Sequence, residues 1–147
     1  MNINFHPDNE NFIEEAKEYQ KIWDKEGSRI IAALENAGKM KFKENTINAI
    51  IFEGISHSHP LTLRASYSAD VKKSTLVHEL AHRLVVGNNM KTNNALEAHK
   101  LINGFLYDAW IVLYGKEFAD AMVKIEGERT PMYKEAWDWT FSNKKEQ

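Results

Sequence analysis

Helical patterns fill the second half of the chain and confine any strands to the first half. From residue 69 onward, apolar residues recur at intervals of three and four, and glycines or capping residues separate the successive stretches. The pattern predicts helices whose ends are marked by Ser68 or Asp70, Gly87, Gly115 and Pro131. Their expected ranges are about Ala69 to Val86, about Ala95 to Tyr114, Lys116 to Glu126, and from Thr130 onward.

The first half combines one long helical pattern with two β-rich segments. Apolar spacing predicts a helix from about Pro7 to Gly38, either continuous or joined at Gly27. Residues 46–53 are β-rich and residues 61–68 alternate apolar and polar side chains, which predicts an antiparallel hairpin with a further strand of unknown position. These patterns together predict a mostly helical α+β fold. Because no repeat, linker or composition break interrupts the chain, we expect a single domain over residues 1–147.

Composition excludes several classes of function. The chain has no cysteine, so a metal site has to use His, Asp or Glu. The formal net charge of -2 provides no positive field for a nucleic acid. Apolar runs are far shorter than the ~20 residues that span a bilayer, and the first residues do not resemble a targeting segment. We therefore expect a cytoplasmic protein with no nucleic-acid or membrane partner.

The strongest motif is His78-Glu79-Leu80-Ala81-His82, which matches H-E-x-x-H inside a predicted helix. Residues four apart lie on one face of a helix, so both imidazoles can reach a single metal ion. Glu79 is about 100° further round the helix, beside the metal, where its carboxylate can accept a proton from water. The motif predicts a zinc site with Glu79 as the general base.

A catalytic zinc site requires a third protein ligand. We favour Glu97, because the chain reverses after Gly87 and an antiparallel helix would bring Glu97 level with His82 at ~1.5 Å rise per residue. Glu97 also fits a capping box that begins at Asn94. His99 faces nearly the opposite way, and is either the ligand in place of Glu97 or an imidazole donor to the oxyanion of the reaction. The remaining candidates are His57, His59 and Asp108.

A phenol could also stabilise the negative charge that builds up on a carbonyl oxygen during acyl hydrolysis. Tyr107 is our first candidate, and Tyr67 and Tyr133 are alternatives. For each of these aromatic side chains taken alone, packing in the core is the more common role.

The stretch from Thr75 to Leu84, followed after a short loop by a helix that carries Glu97, resembles the zincin metallopeptidases. Within them it is most similar to the glutamate-ligand gluzincins, including the minimal minigluzincins, over roughly Leu61 to Tyr114. The resemblance implies zinc held by His78, His82 and Glu97, and hydrolysis of peptide or protein substrates. It also implies that an extended peptide adds to the edge strand within residues 61–68.

The chain departs from the gluzincin pattern at Leu101. Many gluzincins have an aspartate four residues after the ligand glutamate, which supports a metal-binding histidine, so that contact has to come from elsewhere here. Two alternatives stay open. One is a latent or partner-specific protease, with a cleft filled by its own C-terminal helices. The other is a non-catalytic helical interaction or metal-binding module. The sequence predicts no oligomeric state.

Overall fold

The computed structural model describes residues 1–144 and has an α+β architecture. Within these residues, three strands form one sheet, α1 and α2 pack against it, and three further α-helices complete the fold. The elements are β1 (Asn2–Pro7), α1 (Ile13–Gly38), β2 (Thr46–Phe52), β3 (Thr62–Arg64), α2 (Ala69–Gly87), α3 (Ala95–Tyr114), α4 (Lys116–Arg129) and α5 (Pro131–Lys144). A single 3₁₀ turn, Glu10–Phe12, leads into α1.

All three strands run parallel, in the order β1-β2-β3, so the predicted antiparallel hairpin is wrong. The strand that the sequence left unplaced is β1, and α1 is the crossover that connects it to β2. The segment between β2 and β3 doubles back before β3 begins. His57 and Thr62 form an isolated antiparallel bridge there, so the chain turns twice and re-enters the sheet parallel to β2.

The outer edge of β3 is closed by the protein itself. The N–H and C=O groups of Thr62 are both hydrogen-bonded to the backbone of His57, at 3.0 and 2.9 Å. The Arg64 N–H donates to Ser56 Oγ over 3.0 Å, and the Arg64 carbonyl accepts from the Tyr19 hydroxyl over 2.7 Å. Since these are the groups of β3 that point away from β2, the strand leaves none for a peptide to pair with, contrary to the expected strand addition.

The predicted boundaries of α2 and α3 are confirmed closely. The predicted start of the first helix near Pro7 is wrong, because Pro7 ends β1 and α1 begins at Ile13. α1 is continuous through Gly27, where a Cβ would lie 2.9 Å from the Trp23 ring. Ser68 rather than Asp70 caps α2, since its side chain accepts a hydrogen bond from Val71 N. α3 begins after the N-cap Asn94 and ends at Tyr114, as the sequence predicts.

α2 packs between one strand of the sheet and two other helices. It contacts α1, α3 and β3, and its apolar side chains from Leu76 to Val85 are buried. α4 and α5 pack against α3 and against each other. The histidine face of α2 therefore points towards a layer built by α3, α4 and α5. Within residues 1–144, no helix is both long enough and apolar enough to cross a lipid bilayer.

Candidate metal centre

Three histidines converge between α2 and α3. His78 and His82 lie one turn apart on α2, and His99 projects from α3. One ring nitrogen from each lies within 4.8 Å of the other two. His78 Nε2 and His82 Nε2 are 3.2 Å apart. Tetrahedral zinc with Zn–N bonds of about 2.0–2.1 Å holds its nitrogens roughly 3.4 Å apart, so this spacing fits a zinc ion.

The outer ring nitrogens of two histidines are fixed by hydrogen bonds. His78 Nδ1 lies 2.7 Å from Glu126 Oε2, and His99 Nδ1 lies 2.8 Å from the Ala95 carbonyl oxygen. Carboxylate and carbonyl oxygens accept hydrogen bonds, so both Nδ1 atoms carry protons and donate. The Nε2 atoms of His78 and His99 are then free to face His82. Histidines that bind a metal ion usually donate their other ring N–H to a carboxylate or carbonyl oxygen, which orients the ring. His78 and His99 both have this arrangement.

Glu126 on α4 is the buried support of His78. It is 2% exposed, and its second oxygen, Oε1, accepts a hydrogen bond from Trp137 Nε1 over 3.0 Å. Burial raises the pKa of Glu126, but the charge and hydrogen bond of His78 outweigh it and lower the pKa. Burial also lowers the pKa of His78, but the charge and hydrogen bond of Glu126 have the larger effect. The pKa of His78 is therefore raised overall. Glu126 thus supplies from another helix the contact that Leu101 cannot make.

Glu79 lies beside the three histidines at the wall of a cavity of about 370 Å³. Its Oε1 atom is 3.8 Å from His78 Nε2, and the residue is only 6% exposed. Burial raises the pKa of this carboxyl, which increases its affinity for a proton. Burial, together with the neighbouring imidazoles of His78 and His99, lowers the pKa of His82 to about 2.

The structure does not bring Glu97 to the other two predicted ligands. Its backbone N–H donates to Asn94 Oδ1 over 2.9 Å at the start of α3, and its exposed carboxylate pairs with Lys100 Nζ at 3.3 Å. Glu97 and His99 are two residues apart and so face opposite sides of α3. The core face of α3 carries His99, and the third nitrogen near His78 and His82 belongs to His99.

The other ligand candidates also lie outside this group. His59 Nδ1 is 2.9 Å from Ser58 Oγ in the turn before β3, and His57 holds the edge of that strand. Asp108 pairs with Lys144 at 2.9 Å on the surface. Among residues 1–144, the group with ligand geometry contains only the three histidines.

The tyrosines separate into two environments. The Tyr133 ring centroid is 4.6 Å from that of His99 and 6.1 Å from that of His78, and Tyr133 and Tyr67 line the cavity beside Glu79. The Tyr107 hydroxyl instead donates to Asp120 Oδ1 over 2.6 Å, and its ring packs against Phe141. Tyr107 therefore does not share the cavity, and Tyr133 occupies the position that we expected a supporting phenol to take.

Glu126 is not among the residues predicted for the site, and His99 is predicted only as an alternative to Glu97. The sequence nevertheless contains a pattern that points to each of them. His99 shares the helical spacing of Ile102 and Leu106, which are fully buried on α3. Glu126 continues the buried face of Ala119 and Met122 on α4, an unusual place for a carboxylate. A charged or imidazole side chain on a core-facing stripe indicates a buried polar partner.

The chain matches no family model, no curated protein and no solved structure. The chemistry of the site has to be argued from its own residues. Two buried imidazoles and one half-buried imidazole can hold a metal ion, the Glu79 carboxylate lies close to His78, and a cavity opens beside these two residues.

Proposed function

We propose that this protein is a zinc-dependent peptidase of the zincin type, in which His78, His82 and His99 hold the metal and Glu79 is the general base. The supporting observation is the 3.8 Å separation of Glu79 Oε1 from His78 Nε2, at a cavity wall that both residues share. A carboxylate in this position would lie beside the coordination position that a catalytic zinc site keeps open for water or substrate. The buried metal site alone would suit many proteins, and the adjacent base favours hydrolysis.

When bound, zinc polarises a substrate carbonyl and lowers the pKa of its water to about 7. Glu79 accepts the proton from the attacking water and later delivers it to the leaving amine. Its buried position suits this role, because a carboxyl with a raised pKa holds the transferred proton longer. The remaining residues of the site orient the ligands and the substrate.

Tyr133 is the donor best placed to stabilise the developing oxyanion. Its ring lies against His99 at the cavity wall, and within residues 1–144 we find no hydrogen bond made by its hydroxyl. Burial raises the pKa of Tyr133 to about 12, so the phenol keeps its proton throughout the neutral range and can donate it in a hydrogen bond.

The ligand set differs from the one that the gluzincin resemblance implies. Three neutral imidazoles leave the full charge of the ion uncompensated by its ligands, whereas a glutamate ligand would cancel one unit. Glu126 restores part of the balance through the hydrogen bond to His78. We therefore expect the negative charge supplied to the metal position to lie between that of a site with three unsupported histidines and that of a site with a glutamate ligand.

The decisive experiment compares wild-type protein with Glu79→Gln after both are loaded with zinc. Metal content is measured by mass spectrometry, and cleavage is followed with a quenched fluorescent casein substrate. We expect Glu79→Gln to retain one equivalent of zinc and to lose at least a hundredfold in turnover, because the amide cannot accept the proton. Glu117→Gln, an exposed change on α4, is the matched control. Equal turnover by wild type and Glu79→Gln would exclude Glu79 as the base.

A non-catalytic metal site is the second candidate, and the close approach of Tyr133 to His99 favours it because it restricts access to the metal position. In that case both proteins bind zinc and neither cleaves casein. A latent protease opened by loss of its C-terminal helices is less compatible with this arrangement. Truncation after Gly127 removes α5 and with it Trp137, which donates a hydrogen bond to Glu126, the support of His78. We therefore expect this truncation to weaken the site rather than to open it.

A further inference from the structure

The cavity beside Glu79 extends beyond His78 to a wall that carries two arginines. Its volume is about 370 Å³, and its lining continues from His78 and Glu79 to Arg64, Tyr67, Thr75 and Arg129. A substrate whose reacting carbonyl lies near Glu79 therefore has a neighbouring group inside this space. The charges on the wall decide which group is accepted.

Arg129 provides a positive charge without a contacting acidic partner. It is the last residue of α4, and its guanidinium carbon lies 4.9 Å from the centroid of the Tyr67 ring. No carboxylate of residues 1–144 lies within ion-pair distance of it. Arg64, whose guanidinium carbon lies 5.8 Å from the centroid of the same ring, differs because its Nε atom pairs with Glu53 at 2.7 Å. The cavity thus has one arginine that is neutralised and one that is not.

The acidic groups nearest the site are engaged elsewhere. Both oxygens of Glu126 accept hydrogen bonds, from His78 and Trp137, and Glu79 faces the histidines. Half-buried arginine usually forms a bidentate contact with a carboxylate. In this cavity the guanidinium of Arg129 is available to a carboxylate of a bound ligand.

Thr75 adds a second polar group that lacks a partner. It lies one turn before Glu79 on α2 and lines the cavity, and it is 3% exposed. Its hydroxyl makes no hydrogen bond to residues 1–144. A buried hydroxyl without a partner costs stability, and a bound polar ligand would relieve that cost.

We propose that this cavity binds a carboxylate of the substrate through Arg129, so that the enzyme selects peptides with a negative charge next to the scissile bond. The inference rests on the proposed peptidase function. The carboxylate has two possible sources, an Asp or Glu side chain or the free C-terminus of the peptide. Both present the same planar, bidentate acceptor to the guanidinium.

Binding is measured first, by calorimetry on zinc-loaded Glu79→Gln protein, which avoids turnover. The probes are acetyl-Ala-Ala-Glu-Ala-Ala amide, its Gln counterpart, and the Gln peptide with a free C-terminal carboxylate. We expect at least one of the two acidic probes to bind about tenfold more tightly than the neutral Gln amide. The probe that gains affinity identifies the source of the carboxylate. Affinities equal within twofold, or no binding of any probe, would overturn the proposal.

The charge is assigned by introducing Arg129→Gln into the same protein. This change should remove the difference between acidic and neutral probes, whereas Lys124→Gln, an exposed charge removal on the same helix, should preserve it. Persistence of the difference in Arg129→Gln would overturn the role of Arg129. Circular dichroism melts confirm that both variants are folded.

The two proposals fail in different ways. If zinc-loaded wild-type protein cleaves none of the probes but the binding preference depends on Arg129, the peptidase function is wrong and the carboxylate site stands. If cleavage occurs at equal kcat/KM for acidic and neutral probes, the peptidase function stands and the carboxylate site is wrong.

Discussion

His78 Nδ1 lies 2.7 Å from Glu126 Oε2, across 48 positions of sequence. This contact fixes the outer nitrogen of one histidine on α2 to a buried carboxylate on α4. Because the outer hydrogen bond of an imidazole sets its tautomer and orientation, Glu126 determines which nitrogen of His78 faces the other two histidines. The relationship between these two residues ties the predicted metal affinity to a helix that the motif itself does not include.

Replacing Glu126 with glutamine should weaken zinc binding about 10–100-fold, the range found when such supporting groups are lost. The amide keeps the size of the side chain and removes its charge, so the effect reports on the electrostatic support of His78. Competition with a fluorescent zinc chelator measures the affinity. Glu128→Gln, exposed on the same helix, is the control and should bind as wild type does. Equal affinities for the two variants would contradict the supporting role of Glu126.

The identity of the third ligand is tested by comparing His99→Ala with Glu97→Gln. We expect His99→Ala to lose at least a hundredfold in zinc affinity, because two histidines alone cannot complete the site. Glu97→Gln should leave the affinity within twofold of wild type, since that carboxylate is exposed and pairs with Lys100. Calorimetric zinc titrations of both variants provide the comparison. The reverse order of effects would restore Glu97 as the ligand.

Tyr133→Phe should lower kcat by about tenfold or more with little change in zinc content. The substitution keeps the ring against His99 and removes only the hydroxyl that would stabilise the oxyanion. Tyr107→Phe is the paired control, because its hydroxyl bonds to Asp120 outside the cavity. Steady-state kinetics on the casein substrate distinguish the two. A larger loss of kcat in Tyr107→Phe than in Tyr133→Phe would contradict the role that we propose for Tyr133.

Zinc should stabilise the folded protein, because the three ligands come together only after α2 and α3 have packed. Free zinc at a thousand times its dissociation constant contributes about 4 kcal/mol. For a chain of this size that corresponds to a rise in Tm of roughly 10 °C. Melts followed by circular dichroism with zinc and with a chelator measure the shift. His99→Ala should show little of it, and a full shift in that variant would argue against the three-histidine site.

The helices could be predicted from the sequence because their signals are local. Ser68 and Asn94 cap α2 and α3, Gly38 ends α1, and apolar spacing marks the faces between. The pairing of His78 with His82 belongs to this class, because one helical turn alone sets their distance. Such features require no knowledge of how distant segments pack.

The errors concern relationships between elements. A short connection between β2 and β3 favoured a hairpin, but residues in the loop pair with β3 first and return the chain in parallel. The choice between Glu97 and His99 depends on the rotation of α3 about its own axis, and burial of Ile102 and Leu106 fixes that rotation. Glu126 reaches the site only because α4 folds back over α3, which no local pattern encodes.

The sheet also has a closed edge on its other side. The Gln20 side chain on α1 accepts a hydrogen bond from Phe5 N and donates one to the Ile3 carbonyl, each at 3.3 Å, so an amide takes the place of a neighbouring strand along β1. With β3 sealed by Ser56, His57 and Tyr19, neither margin offers a ready template for intermolecular β-pairing. Because unpaired strand edges favour aggregation, we expect these few polar side chains to keep the protein monodisperse as well as to hold the sheet in place.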